Sequence, residues 1–467
     1  MTLRLAAGLA GLLLLSACAT STEGPNSASA KAPGSPPRSE SPGDAFHSTY
    51  EPYPGVPTAI VGATIFDGEG GRIDGGTILF ADGVIEAVGG RDTPIPEDTV
   101  VFDGRGKWVT PGIIDPHSHL GDYPSPGVAA HSDGNEMTGA TRPEVWAEHS
   151  VWPQDPGFSR ALTNGGVTTL QILPGSANLF GGRSVTLKNV PARTVQAMKF
   201  PGAPHGLKMA CGENPKRVYG SRNQMPSTRM GNVALMRQTW IKAQEYKRKL
   251  EKDPKTTRDL GWETLVGAME GKILVHNHCY RADEMAIVLD MAKEFGYKVA
   301  AFHHAVEAYK IADLLRESGT CAAMWADWWG FKMESYDGIN ENVALVHDAG
   351  ACAMMHSDDP NGIQRLNQEA AKVLGDARRM GIAIAPETAW TWLSYNPARA
   401  LGIADRTGSL KPGKMADVVL WNGDPFSVYT RPERVWIDGA LLYDSANPKL
   451  RPVSDFELGQ PGEGDVK

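Results

Sequence analysis

Residues 273–324 read ILVHNHCYRADEMAIVLDMAKEFGYKVAAFHHAVEAYKIADLLRESGTCAAM. Two periods alternate along this stretch. Ile273–His276, Val299–His303 and Thr320–Met324 are short apolar runs of strand length, whereas 281–295 and 305–318 space their apolar residues as a helix does. Strand, helix and strand repeated in this way make a parallel sheet with helical crossovers. The alternation continues outward. Gly112–Pro116, Val167–Leu173, Ser184–Lys188 and Leu207–Cys211 precede it, Ala351–Met355 follows, and helical stretches lie at 159–165, 230–251, 338–349, 362–381 and 386–400. Eight such strands predict a closed α/β (β/α)8 TIM barrel over 108–407. The Gly- and Pro-rich stretch 174–203 has little helical period and reads as a loop-rich excursion around the third strand.

The flanks have a different texture. Thr77–Ala81, Asp82-Gly83 and Val84–Val88 form a hairpin pattern with an Asp-Gly turn. Ala416–Trp421 and Arg434–Asp438 are strand-like, and Asp438-Gly439 turns into Leu441–Tyr443. We expect a small β-sandwich domain built from both ends, 57–107 plus 408–445, with 446–467 as a C-terminal tail. At the start, Met1–Arg4 is positive and Leu5–Leu15 is an apolar run of eleven residues. That is short of the ~20 residues of a membrane-spanning helix. The run ends in Leu15-Ser16-Ala17-Cys18, which resembles the bacterial lipobox. The resemblance implies a signal over 1–18 and a membrane partner through a lipid anchor on Cys18. Residues 19–56 read as a flexible Ser/Pro/Gly tether. The expected location is the cell envelope, facing the periplasm, with Ala19 favouring the outer membrane by resemblance to enteric sorting rules.

The 467 residues carry 46 Lys+Arg against 54 Asp+Glu, so no basic surplus marks a nucleic-acid partner. A hydrophobic share of 41% excludes global disorder. Cys18, Cys211, Cys279, Cys321 and Cys352 are spread out with no C-x-x-C pair. Neither a disulfide framework nor a Cys-ligated zinc site is expected, and the four later cysteines read as small buried hydrophobes.

Of the 12 histidines, seven fall at the C-terminal ends of the strands: His117, His119, His276, His278, His303, His304 and His356. Active sites of such barrels lie there, and neutral imidazole is the commonest metal ligand. In His117-Ser118-His119 the two rings sit two apart on a strand and face the same way. His131 and His149 read as ordinary loop histidines.

The run Val109-Thr-Pro-Gly-Ile-Ile-Asp-Pro-His-Ser-His119 resembles the amidohydrolase superfamily. Leu274-Val-His276-Asn-His278, Ala301-Phe-His303-His304 and Met355-His356-Ser357-Asp358-Asp359 extend the likeness, as does Tyr395–Gly402 followed by Gly408–Val419. It covers about 57–445, and the nearest group is the imidazolonepropionase-like amidohydrolases, including metal-dependent dipeptidases. The resemblance implies His117, His119, His276, His304 and Asp358 as metal ligands, with His303 the alternative to His304. It implies Asp358 as the proton shuttle and one or two Zn2+ as cofactor. Asp358 or Asp359 also fits a helix cap. Binuclear members bridge their metals with a carboxylated Lys or a Glu. Lys208 and Glu213 both offer the anionic oxygen, and both stay open.

The implied reaction is hydrolysis of an amide, peptide or cyclic amide by metal-activated water. Arg217, Tyr219 and Arg222 follow the fourth strand and could clamp an anionic end of a small-molecule or peptide substrate. Trp325 could wall the pocket. The alternatives are a mononuclear deaminase or imidazolone-type ring hydrolase, and a non-catalytic binding lipoprotein. A homo-oligomer stays open.

Overall fold

A computed structural model describes residues 46–125 and 127–450. The signal segment, Cys18 and most of the tether lie outside the described residues.

Five strands open the fold: β1 (Thr58–Phe66), β2 (Arg72–Ala81), β3 (Val84–Gly89), β4 (Val100–Asp103) and β5 (Trp108–Pro111). Three close it: β14 (Val418–Trp421), β15 (Pro432–Ile437) and β16 (Ala440–Asp444). They pair in a single eight-stranded sheet of order β16-β15-β14-β5-β1-β2-β3, with β4 on β1. Thr110 of β5 faces Val419 of β14, so the two ends of the chain meet there. The two Asp-Gly hairpins form as expected. Asp82 and Gly83 have φ of 49° and 82°, and Asp438 and Gly439 of 47° and 74°. Both turns need two left-handed residues, which Asp and Gly supply at low cost.

The intervening chain forms the other eight-stranded sheet, a nearly closed barrel. Its strands are β6 (Ile113–Ser118), β7 (Val167–Ile172), β8 (Phe180–Lys188), β9 (Gly206–Ala210), β10 (Leu274–Cys279), β11 (Val299–His304), β12 (Cys321–Met324) and β13 (Cys352–Met355). They are neighbours in chain order from β6 to β13. Helices α1 (Pro156–Gly165), α2 (Glu213–Gly220), α3 (Arg229–Lys252), α4 (Leu260–Met269), α5 (Ala282–Phe295), α6 (Ala312–Ser318), α7 (Asn342–Asp348), α8 (Leu366–Met380), α9 (Pro386–Ala389) and α10 (Tyr395–Ala400) accompany the strands. On α5 the residues Met285, Val288, Leu289, Ala292 and Phe295 are buried, the stripe a crossover helix turns to its sheet. β6 through β9 are buried along their whole length, as strands covered on both faces must be. No helix of the described residues is long and apolar enough to cross a membrane.

Three expectations need correction. The third strand is not parallel: β8 runs antiparallel to both β7 and β9. Only residues 173–179 separate β7 from β8, too few for a parallel crossover of a dozen or more. The loop-rich excursion therefore splits. Residues 173–179 lie at the mouth, and 189–205 lie at the opposite end.

The cysteines do pair. Cys211–Cys279 and Cys321–Cys352 are disulfides, each joining neighbouring strands or their ends. Cys321 and Cys352 are register partners in β12 and β13, which brings residues 31 apart in sequence together.

The end of the expected tether is bound to the fold. Ser48 Oγ donates to the Lys199 carbonyl at 2.6 Å and Tyr53 Oη to the Pro191 carbonyl at 2.6 Å. Phe46 packs edge-on against His149 at 4.5 Å. Its aromatic residues give this segment apolar surface to bury, which the preceding Ser/Pro/Gly chain lacks.

Candidate active site

The histidines form two tiers at the strand ends. In the deeper tier, His276 is the register partner of Lys208, and His303 that of His278. His303 bridges two rings: its Nδ1 lies 2.9 Å from His117 Nδ1, and its Nε2 lies 2.9 Å from His276 Nδ1. In the upper tier, Asp358 Oδ1 lies 3.0 Å from His119 Nε2 and 3.3 Å from His117 Nε2. His356 Nε2 lies 2.9 Å from His304 Nδ1. Lys208 Nζ lies 3.3 Å from His117 Nε2 and so faces the junction of the tiers. Two triplets bring ligand atoms within 4.8 Å of one another: His117, His304 and His356, and His117, His119 and Asp358.

The local backbone is shaped for this. His304 and Asp358 have φ of 73° and 55°. Left-handed geometry is uncommon for non-glycine residues and concentrates at functional sites. Where β6 and β13 close the barrel, side chains do the stitching. The Asp115 carboxylate accepts from the backbone N–H groups of His117 and Ser357, both at 3.1 Å. The Asp358 N–H donates to the His117 carbonyl at 2.9 Å. Asp115 thus ties the ends of these two strands together by their backbones.

The electrostatics favour neutral ligands. Burial pushes His117, His278, His303 and His304 well below the usual imidazole value, His276 to about 3 and His356 to about 4. Burial also brings the Lys208 amine down to about 8. Burial raises Asp358, but the His119 hydrogen bond and the nearby Lys208 charge outweigh it and hold the carboxyl below its ordinary range. Asp115 is pushed up to about 7 by burial.

A divalent cation fits these groups. His119 Nδ1 must donate to the Leu173 carbonyl, 2.7 Å away. That fixes the ring with Nε2 toward Asp358 Oδ1 at 3.0 Å, a nitrogen and an oxygen that a cation can share. His276 Nε2, His278 Nδ1 and His356 Nδ1 are buried with no hydrogen-bond partner. The donors are nitrogen and oxygen, the set Zn2+ takes.

Of the residues singled out from sequence, His117, His119, Lys208, His304 and Asp358 come together. His276 lies one tier deeper and reaches the others through His303. Glu213 does not join the cluster: at the start of α2 its carboxylate lies 3.8 Å from Lys332. A strand residue can face the barrel interior, whereas this one has already left the strand. His356 was not singled out as a ligand, although its place at a strand end was the available signal. Asp359 takes the capping role, accepting from the N–H groups of Asn361 and Gly362.

Among the expected substrate residues, Trp325 stacks on His304 and His356, at 4.6 Å in each case. Its Nε1 donates to the Ser357 carbonyl at 3.1 Å. Arg217 lines a cavity beside the site. Tyr219 and Arg222 do not line it. Tyr219 is on the buried side of α2, its hydroxyl on Asn178, and Arg222 beyond the helix end is tied to the Met137 carbonyl.

Residues 108–442 match the model of the amidohydrolase family. The chain belongs to that family. A solved amidohydrolase from Thermotoga maritima MSB8 is 35% identical, with a TM-score of 0.76 over 83% of this chain and 100% of the other. Amidohydrolase tasK of Hapsidospora irregularis is 32% identical over 446 residues, covering 86% of this chain and 45% of that relative. This amidohydrolase thus spans under half of that relative's length. Imidazolonepropionase of Shewanella oneidensis is 25% identical over 402 residues, covering 75% of this chain and 88% of the relative. Metal dependence is general in the amidohydrolase family, and two groups of side chains here have the spacing that could hold an ion.

Proposed function

We propose that this amidohydrolase breaks a C–N bond in an amide, peptide or cyclic amide with metal-activated water. The observation that carries the reading is Asp358 Oδ1 within 3.0 Å of His119 and 3.3 Å of His117 at the barrel mouth. His117, His119 and Asp358 would hold one zinc-class ion. Lys208, His276 and His304 are proposed for a second. When bound, such ions lower the pKa of water and polarise a carbonyl.

The chain's own groups do the rest. Asp358 takes the water proton as the C–O bond forms at the carbonyl carbon, then gives it to the nitrogen so that the C–N bond breaks and the amine leaves. Lys208, with its amine at about 8, has a larger neutral fraction at neutral pH than an ordinary lysine. The neutral amine is the form that adds CO2, releasing a proton and leaving an anionic oxygen. Trp325 keeps the His304 and His356 rings in place by stacking.

The test is turnover of a panel of dipeptides, N-acyl amino acids and lactams by chelated and zinc-reloaded enzyme. Activity restored by zinc and lost in Asp358→Asn is expected. No turnover of any panel member by the loaded enzyme would overturn the reading. The relatives named imidazolonepropionase favour a second reading, a mononuclear ring hydrolase or deaminase. One ion per chain with turnover confined to cyclic substrates would select it.

We also propose the envelope location, with Cys18 as lipid anchor. The two disulfides support an oxidising compartment. Cys18→Ser should release the protein from the membrane fraction; an unchanged distribution would refute the anchor. The flanking sheet is read as a two-layer β-sandwich, supported by its own core of Ile60, Ile78, Phe80, Val418 and Trp436.

A further inference from the structure

A cavity of about 750 Å3 opens beside the histidine cluster, between α2 and the loop after β12. Lys216, Arg217 and Lys332 line it against the one carboxylate of Glu213, so its lining carries a positive balance. Of these three, Lys332 has contacts that lead to the cluster. Its ammonium sits 3.7 Å over the Tyr280 ring, and Tyr280 stacks on His304 at 5.0 Å. Lys332 Nζ donates to Asn214 Oδ1 at 3.4 Å, and Asn214 Nδ2 lies 3.5 Å from His278 Nε2. One aromatic ring on one side and one amide on the other separate the ammonium from the cluster. That is on the order of one or two extended residues at ~3.3 Å each.

The charge of Lys332 is incompletely met. Glu213 and Glu334 stand 3.8 and 4.0 Å away, beyond hydrogen-bond distance. Arg229 and the Glu213 N–H, the latter at 2.9 Å, engage Glu334 Oε1, whereas Oε2, the oxygen toward Lys332, has no hydrogen-bond partner among the described residues. Burial accordingly holds the Lys332 amine below its ordinary value. Beside it Phe331 is 58% exposed and lines the same cavity. A cation with an exposed aromatic ring at its side suits a carboxylate attached to an apolar group.

We propose that Lys332 receives the free carboxylate of the substrate. The substrates are then acylated amino acids or short peptides with an unblocked C-terminus, the scissile carbonyl at the histidine cluster and the carboxylate on Lys332. This inference rests on the hydrolytic reading for its consequence, but the site itself is tested by binding.

The experiment is calorimetric titration of the metal-free full chain with N-acetyl-L-phenylalanine and with its C-terminal amide. Wild type should bind the acid about tenfold or more tightly than the amide, the size of a charge-assisted contact. Lys332→Met should abolish the preference and Lys332→Arg should keep most of it. In turnover of a dipeptide, Lys332→Met should raise KM more than it lowers kcat, and should narrow the difference between the dipeptide and its amide. Equal or absent binding of acid and amide by wild type would overturn the proposal, as would an unchanged preference in Lys332→Met. A clear preference for the acid without hydrolysis of any panel compound would sink the hydrolytic reading while sustaining the carboxylate site.

Discussion

Two lysines on adjacent strands of the barrel are both shielded from solvent, and they behave oppositely. Lys188 ends β8 on the side away from the mouth, and Lys208 lies in β9 below the histidines; each is 0% exposed. Lys188 Nζ meets both Asp417 oxygens at 2.9 Å and Asp438 Oδ1 at 3.0 Å. Burial depresses its pKa, but the two carboxylates outweigh burial and raise it. The cluster also takes in Tyr50, whose hydroxyl donates to Asp438, and Thr407, which donates to Asp417 at 2.6 Å. It ties the N-terminal segment, the barrel and the flanking sheet together. Among the described residues Lys208 has no carboxylate within hydrogen-bond distance, and burial, opposed only in part by the charge of Asp358, brings it to about 8. Burial alone therefore does not mark a functional lysine. What separates the two is the distance to a carboxylate, close enough at Lys188 to outweigh burial and too far at Lys208, where Asp358 offsets it only in part.

The largest effect should come from the mouth. Asp358→Asn is expected to cut kcat about 10²–10⁴-fold with thermal unfolding little changed; near wild-type rates would remove Asp358 from the reaction. Next, Lys188→Met leaves two buried carboxylates without their cation and should cost about 3–5 kcal/mol in denaturant unfolding. A loss below about 1 kcal/mol would mean that the cluster is not a clamp. Lys208→Met breaks the symmetry: activity should fall, yet stability should hold within about 1 kcal/mol or improve, because an uncompensated buried amine is removed.

The pH slopes sharpen the contrast on metal-free protein. Between about 8 and 10.5 the unfolded chain holds more protons on Lys208 than the folded one, so wild type should gain stability with pH relative to Lys208→Met. The raised pKa of Lys188 makes its contribution complete below 10.5 and lost only above. The gap between wild type and Lys188→Met should therefore stay level across that window. The smallest effect is expected from Trp325→Phe, which gives up one hydrogen bond to Ser357, about 0.5–1.5 kcal/mol.

The same contrast explains what the sequence could and could not reveal. Eight strand segments were legible because their apolar runs have strand length. The direction of β8 was not, since parallel and antiparallel strands share one side-chain period; the brevity of 173–179 was the overlooked sign. That His117, His119 and Asp358 meet was legible because strand-end position brings them to the barrel mouth. The placement of His303 and His304 was not, because it depends on the cross-barrel contacts of His303 and on a φ of 73° at His304. Cys321 and Cys352 pair through a strand register that no spacing rule displays. The even number of cysteines after the expected signal was nevertheless a hint. The bound segment at 46–56 announced itself through Phe46, Tyr50 and Tyr53, which a free tether has no reason to carry.

The account stands most directly on metal content per chain, measured by mass spectrometry after purification without chelator and reloading with zinc. It predicts at least one zinc-class ion per wild-type chain and loss of that stoichiometry in His117→Ala, whose ring belongs to both triplets. A wild-type chain that binds no metal after reloading would contradict it, and the paired tiers of histidines would need another explanation.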